Sequence, residues 1–166
     1  MNGEIKVEGM NELMRAIDQS GKYTKEAVLR GFQAAGDDII GEAVNNLRHN
    51  GNWLTGALAQ SGHAQKVGDG IDVGFFDSTG RNSGYAWFVE FGRRAGKFPP
   101  LDEIQQWVYK KLHMDEKASR SVGFLIARKI AKFGTKPHPF FQPAVEKIMP
   151  KLEEYVKQEW EQKVGK

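Results

Sequence analysis

Glu90 is the residue of this sequence whose surroundings could support acid–base chemistry. It lies within an aromatic segment, residues 85–91, and burial among aromatic rings would make a carboxylate a stronger general base. The alternative is a buried or interface acid that pairs with Arg93, Arg94 or a base of a neighbouring molecule. The sequence favours this second interpretation, because no nucleophile or metal-ligand set accompanies Glu90.

The histidines and the paired acids do not have the spacing of a metal site. The four histidines, at positions 49, 63, 113 and 138, are scattered along the chain and do not have ligand spacing. Two pairs of adjacent acids, at 37–38 and 153–154, are predicted to lie on helices, where neighbouring residues point in different directions. We therefore predict that no metal is bound.

Motifs for phosphate binding and hydrolysis are also missing from the sequence. The segment Gly-Lys-Tyr-Thr at 21–24 ends like a P-loop but lacks its upstream glycine. We find no dinucleotide-binding glycine motif, zinc-protease helix or serine-hydrolase elbow. We therefore predict a protein that is not an enzyme and has no cofactor and no small-molecule substrate.

Two segments combine aromatic residues with residues that restrict the backbone. Residues 85–92 read Tyr-Ala-Trp-Phe-Val-Glu-Phe-Gly, and residues 134–144 read Gly-Thr-Lys-Pro-His-Pro-Phe-Phe-Gln-Pro-Ala. Aromatic side chains held in a fixed shape are typical anchors of protein interfaces, although they could equally fill the core beneath a sheet. The candidate assembly-interface residues are Trp87, Phe88, Glu90, Phe91, Phe140 and Phe141.

The composition is that of a folded chain outside a membrane. The 166 residues are 40% hydrophobic and include no cysteine, which excludes disulfides and thiolate metal sites. No apolar run approaches the roughly 20 residues of a membrane helix, and the polar, alternating N-terminus predicts no signal peptide. We therefore expect a protein made and kept in a cytoplasm, with no membrane contact.

Positive charge is concentrated in one part of the chain. Residues 93–136 hold eleven Lys/Arg and four Asp/Glu, an excess of seven positive charges in a chain of net charge +3, so the remainder carries −4. This basic segment could face phosphate or an acidic neighbouring subunit, or could be a solvated surface. The candidate basic residues are Arg93, Arg94, Lys97, Lys117, Arg128 and Lys132.

The N-terminal half predicts helices followed by a hairpin. A short strand at 4–8 and a helix at 11–18 precede a long helix at 24–47. Gly31, Gly36 and Gly41 each weaken this helix by about 1 kcal/mol relative to alanine, so we expect close packing at the glycines to hold it. The long helix buries a stripe made of Val28, Phe32, Ala35, Ile39 and Ala43.

A turn at 49–52 and a helical turn at 55–61, capped by Thr55, lead to the hairpin. Its strands are predicted at 63–67 and 71–76, with the turn at 68–70, and a polar loop follows at 77–84.

The C-terminal half predicts helices throughout. The spacing of residues 85–91 favours a helix, although their aromatic and β-branched content would suit a strand. Further helices are predicted from Pro99-Pro100 to 112, at 116–133, and at 141–162 with a kink at Pro150. In the helix at 116–133, the predicted core stripe is Val122, Ile126, Ile130 and Phe133, and the cations at 117, 128 and 132 lie on another side.

These elements predict an α+β fold in which several helices pack on one face of a small antiparallel sheet. The long helix in the N-terminal half and the C-terminal helix are its main helical elements. We predict a single domain, 1–166, with a helical, basic insertion at about 93–133.

Three segments, taken in order, resemble a known family. They are Thr-Gly-Ala-Leu at 55–58, Tyr-Ala-Trp-Phe-Val-Glu-Phe-Gly at 85–92, and Pro-Phe-Phe-Gln-Pro-Ala at 139–144. This pattern resembles the tail-completion or minor tail-component proteins, at the head–tail neck of long-tailed bacteriophages and prophages. In shorter relatives the second segment leads almost directly to the third, whereas here residues 93–133 intervene, as in longer relatives.

The resemblance implies a non-enzymatic virion protein that completes the head-proximal end of the tail or joins tail to head. It implies a ring-forming subunit, a hexamer by analogy with tail symmetry, found in the virion neck and, during assembly, in the bacterial cytoplasm. The implied partners are further copies of the chain, tail-tube proteins and head–tail connector proteins. Packaged DNA would pass through the ring and make non-specific contact with the basic residues.

A small non-enzymatic module that binds DNA or RNA is the alternative. It would use the same basic helices without a ring. The sequence contains no helix-turn-helix spacing and no RNA-binding aromatic motif to favour it.

Overall fold

The computed structural model of this chain describes residues 22–50, 56–76 and 84–164. The predicted strand at 4–8, the helix at 11–18, Thr55 and nearly all of the loop at 77–84 lie outside these ranges. The elements in chain order are α1 (Lys22–His49), α2 (Ala57–Gln60), β1 (Gly62–Val67), β2 (Gly70–Phe75), α3 (Gly84–Phe91), α4 (Leu101–Leu112), α5 (Glu116–Phe133), α6 (Phe141–Ile148), a 3₁₀ turn (Met149–Lys151) and α7 (Leu152–Val164). The α+β prediction is confirmed.

The long helix α1 organises the core. Its predicted stripe is buried along its whole length, from Val28 to Ala43, and Leu47 extends it by one turn. The β-hairpin and the C-terminal helices α6 and α7 all pack against this helix. Its continuous apolar face is buried by these contacts. The main cluster brings Ile39 and Ala43 together with Phe75 of β2 and Ile148 of α6.

Two of the three glycines in α1 allow close packing, as predicted. A Cβ atom at Gly31 would lie 2.7 Å from the Cα atom of Val156 in α7, and one at Gly36 would lie 2.9 Å from Val73 in β2. Gly41 differs, because a Cβ atom there would meet nothing within 4 Å. The helix therefore accepts the conformational cost of glycine at two contact points and gains no packing from the third.

These glycines predict opposite effects for one substitution. Gly31→Ala should lower the free energy of unfolding by roughly 1–3 kcal/mol, because α7 has to move away from the added methyl group. Gly41→Ala should raise it by about 1 kcal/mol, because alanine is the better helix former and the site is open. Urea denaturation of both variants checks this, and two shifts of the same sign would contradict the packing assigned to Gly31.

The two strands form an antiparallel hairpin with a two-residue turn, Gly68-Asp69. Gly62 pairs with Phe75, and Val67 with Gly70. Gly68 has a φ of 58°, which a tight hairpin turn requires and glycine tolerates. A salt bridge of 2.9 Å from Lys25 to Asp69 joins the turn to α1, and the hydrogen bond and charge of Lys25 hold the pKa of Asp69 below its ordinary value.

The short helices correct two details of the sequence prediction. The helix α2 has Gly56 as its N-cap, in the left-handed conformation at φ 71°, and not Thr55. The predicted C-terminal helix is interrupted at Pro150 by the 3₁₀ turn, because a proline removes a backbone donor and crowds the preceding turn. The helical alternative for residues 85–91 is confirmed by α3.

The helices α4 and α5 make up most of the segment predicted to be an insertion, which we continue to call the insertion, and they pack mainly on each other. They approach closely at Gly123, where a Cβ atom would lie 2.7 Å from Cγ of Gln105. The buried residues of α5 are consequently small: Ser119, Gly123 and Ala127. The predicted stripe of α5 is wrong at its end, since Phe133 is 69% exposed, and Val122, Ile126 and Ile130 are only half-buried.

Candidate assembly interface

The carboxylate of Glu90 caps the N-terminus of α6 from another part of the chain. Its Oε2 atom accepts hydrogen bonds from the backbone N–H groups of Phe140 at 2.8 Å and Phe141 at 2.9 Å, and its Oε1 atom accepts from Gln142 at 3.0 Å. The next residue is Pro143, which has no N–H group. The four backbone positions that begin a helix and lack partners within it are therefore all accounted for.

This cap differs from both sequence interpretations of Glu90. The side chain is 5% exposed, so Glu90 is buried as the second interpretation expected, but its oxygens accept from backbone N–H groups and not from Arg93 or Arg94. The same bonds give the carboxylate a structural role in place of that of a general base. A negative charge at the positive end of a helix, with three hydrogen bonds, is a stabilising arrangement. Glu90 therefore positions the segment that follows Pro139.

Further contacts fix the backbone on both sides of Phe140. Asn46 donates from Nδ2 to the Phe140 carbonyl at 3.0 Å, and Asn50 donates likewise to the Pro139 carbonyl at 3.0 Å. The ring of Phe140 is fully buried and meets Phe75 edge-on, with centroids 5.0 Å apart. Leu58 belongs to the same buried cluster, so the three segments quoted from the sequence meet in one place.

The insertion leaves and re-enters the body through a pair of adjacent strands of backbone. Arg93 and Thr135 form an antiparallel bridge, with N–H···O distances of 3.2 and 2.8 Å. Gly92 and Gly134 flank it, both at φ 72°, and a Cβ atom at Gly134 would overlap the Arg93 carbonyl oxygen. Only glycine fits such positions, and we call this pairing the base bridge.

Next to the base bridge lies a groove with an aromatic wall and a cationic rim. Its volume is about 670 Å³, and we call it the aromatic groove. Its lining residues are Trp87, Phe88, Phe91, Gly92, Arg93, Arg94, Lys97 and Thr135. The Arg93 guanidinium lies 5.5 Å from the centroid of the Phe88 ring and donates to the Lys97 carbonyl at 2.7 Å, which orients the rim against the wall.

The structure separates the six predicted interface residues into two sets. Trp87, Phe88 and Phe91 are between 39% and 51% exposed, and all three line the aromatic groove. The prediction that Glu90 and Phe140 lie at an interface is wrong, because both are buried. Glu90 caps α6, and Phe140 belongs to the core. Phe141 is half-buried and packs on the core, edge-on to Phe75.

The six predicted basic residues also fall into two groups. Three belong to the aromatic groove, whereas Lys117, Arg128 and Lys132 are exposed on α5. Successive members of this second group are eleven and four residues apart, a spacing that places them on one side of a helix. The sequence therefore identified a shared cationic face on α5, although not its separation from the groove.

Two apolar residues that the sequence did not single out lie on the same face of α5. Phe124 and Leu125 are 46% and 54% exposed, and Phe124 contacts the exposed ring of Phe98, with centroids 5.6 Å apart. Their spacing from Lys117 and Arg128 was the available signal. The apolar stripe of Val122, Ile126, Ile130 and Phe133 predicts the buried face and does not include Phe124 or Leu125.

Within the described ranges, no group of three or more His, Asp or Glu side chains is arranged to hold a metal ion. None of the helices in the same ranges has the length and apolar composition of a membrane span. Comparisons of the chain with protein-family models, with curated proteins and with solved structures give no match.

Proposed function

We propose that this chain is a structural virion protein of a tailed phage or prophage. In this role it completes the head-proximal end of the tail or joins tail to head, as a subunit of a ring, and has no enzymatic activity. The observation that carries the proposal is the aromatic groove: three exposed aromatic side chains on α3 beside three cations. Exposed aromatics in a rigid setting are typical of assembly contacts.

The way the groove is held supports the same role. The base bridge and the Glu90 cap fix α3 to the segment that leads into α6, so the exposed rings need little ordering when a partner binds. A preformed surface loses less conformational entropy on association than a flexible one. We therefore propose that the three ordered segments act together to hold α3 in place with its aromatic side chains exposed.

The experiment that tests the proposal is removal of the gene from a phage that encodes this chain. We expect filled heads and separate tails in electron micrographs, with joined particles restored by the wild-type chain supplied in trans. Light scattering of the purified protein, with negative-stain images of any large peak, tests the ring directly. Normal joined particles without the gene would overturn the proposal.

Contact with packaged DNA is a finer part of the proposal. The cationic face of α5 is suited to phosphate contacts that do not depend on base sequence. Reversing Lys117, Arg128 and Lys132 to glutamate should lower the steepness of log affinity against log salt by about 3 for duplex DNA, since each phosphate contact contributes about 0.9. Fluorescence titrations at several salt concentrations measure this slope.

The matched control reverses Lys66, Lys151 and Lys157, three exposed lysines outside the insertion. It changes the net charge equally and should leave most of the slope in place. Equal slopes for the two triple variants would show that net charge alone governs binding, and would remove α5 from the DNA contact.

A nucleic-acid-binding module is the second candidate. The observation that favours it is the exposed pair Phe98 and Phe124 beside the cations of α5, because aromatic rings next to positive charge can stack on unpaired bases. A monomer that binds single-stranded DNA more tightly than duplex, in a phage that assembles normally without it, would favour this candidate over the neck protein.

A further inference from the structure

The aromatic groove is too strongly charged to pair with an identical groove. Arg93, Arg94 and Lys97 line it, and no acidic side chain is among its lining residues. A symmetric contact, groove against groove, would bring two sets of three cations together, which is costly at an interface. A second copy of the chain must therefore present a different surface to the groove, which makes the contact heterologous.

A surface of opposite charge lies on α1 and α7. Between the exposed residues Arg30 and Arg48, α1 contains three acids and no lysine or arginine. Glu42 is paired with Lys147 at 2.8 Å, whereas Asp37 and Asp38 are exposed. Together with the exposed Glu154 they form what we call the acidic face.

Tyr155 of α7 contacts Asp38 of α1 at this face. The Tyr155 hydroxyl donates a hydrogen bond to Asp38. This bond first, then burial and the negative charges of Asp38 and Glu154, raise the pKa of Tyr155 to about 12. The exposed carboxylates of Asp37, Asp38 and Glu154 give this face a charge opposite to that of the groove rim.

We propose that the aromatic groove of one copy binds the acidic face of a second copy. Repeated around an axis, this head-to-tail contact builds the ring, and with a rotation that does not close it builds a filament. The cations of the rim meet Asp37 and Asp38, and the exposed rings of α3 are covered. The inference rests on the proposed ring and names the two surfaces that form it.

The absence of cysteine from the sequence makes a cross-linking test direct. Gly41 lies one turn beyond Asp37 and Asp38, is exposed, and has room for a side chain. Lys136 is exposed and follows Thr135 of the groove. The double variant Gly41→Cys/Lys136→Cys, treated with a short bismaleimide, should give a ladder of covalent oligomers, because each chain then carries one thiol on either side of the contact.

The controls separate head-to-tail contact from random collision. Each single-cysteine variant should stop at a dimer. The comparison pair Ser121→Cys/Lys136→Cys should give about tenfold less ladder, because its exposed serine lies on α5, outside the acidic face, and the proposed contact does not hold that thiol beside the groove. A ladder no stronger than that of the comparison pair would overturn the inference.

Charge reversal then tests the surfaces themselves. In the cross-linking background, Arg94→Glu/Lys97→Glu and Asp37→Lys/Asp38→Lys should each lower the ladder about tenfold, and the four changes together should restore it. A ladder that persists through both reversals, or fails to return in the combination, would overturn the inference. If the charge reversals fail in this way but the purified protein still forms rings, the inference is overturned and the proposed function stands. If joined particles form without the gene, the proposed function is overturned and the contact between copies stands.

Discussion

Replacing Glu90 by glutamine should lower the free energy of unfolding by about 3–5 kcal/mol, the largest effect expected from a change of one polar group in this chain. The amide keeps the size of the side chain but loses the charge, and its NH₂ group faces backbone donors where an acceptor is needed. The Phe140, Phe141 and Gln142 amides bind this carboxylate. Stabilities of domains are typically about 5–15 kcal/mol, so the variant should be partly unfolded near physiological temperature.

Urea denaturation at neutral pH measures the loss. Glu146→Gln is the matched control, because Glu146 lies on α6 itself, is exposed, and contacts Gln142 only through its side chain; it should change stability by less than about 0.5 kcal/mol. A Glu90→Gln variant as stable as this control would mean that the cap contributes nothing. Glu90→Asp should fall between the two, since it keeps the charge and shortens the reach.

Gly134→Ala should be the most damaging change of a small residue, with a loss of roughly 3–5 kcal/mol. Gly134 has φ 72° and ψ −164°, a region that residues with a Cβ atom hardly ever adopt. The added methyl group would also overlap the Arg93 carbonyl oxygen, which accepts the Thr135 N–H at 2.8 Å. We therefore expect the base bridge to open as well as the protein to lose stability.

Hydrogen exchange of the Thr135 amide, followed by NMR, reports the bridge, and thermal unfolding reports the stability. Gly68→Ala isolates the conformational cost, because Gly68 has φ 58° and open space around it; about 1 kcal/mol is expected there. Equal losses for the two variants would show that the overlap with Arg93 is relieved without cost, contrary to the expectation for Gly134.

Local pattern predicted most of the elements. The apolar stripe from Val28 to Ala43 identified α1, because its period is uninterrupted over about four turns. The glycines around residue 69 identified the hairpin turn within one residue. Residues 85–91 were ambiguous from composition, and their helical spacing, which ends at Gly92, proved the better guide.

The role of Glu90 could not be predicted from local pattern. Its partners are about 50 residues away, and a carboxylate that caps a distant helix leaves no periodic signal in its own segment. The stripe of α5 failed for a related reason. Which face of that helix is buried depends on where α4 crosses it, at Gly123, and a pattern rule assigns the large residues inward without that knowledge.

The candidate site was predicted in part by the same reasoning. Aromatic residues near glycine suggested a contact surface, and Trp87, Phe88 and Phe91 are exposed in one groove with the nearby cations. Phe140 carries the same residue type but lies in the core. Residue type therefore does not decide whether an aromatic ring is exposed in the groove or buried in the core. That depends on the position of the ring relative to the capped end of α6.

The base bridge makes the insertion modular. Because the chain leaves at Arg93 and returns at Thr135 through paired backbone, the bridge holds together the two ends of the segment that contains α4 and α5. For a flexible segment between these ends, each doubling of the length would cost only about 0.6 kcal/mol of loop-closure entropy. We therefore expect that segments of other lengths could replace α4 and α5 between the two strands of the base bridge, while the Glu90 cap and α3 keep their arrangement.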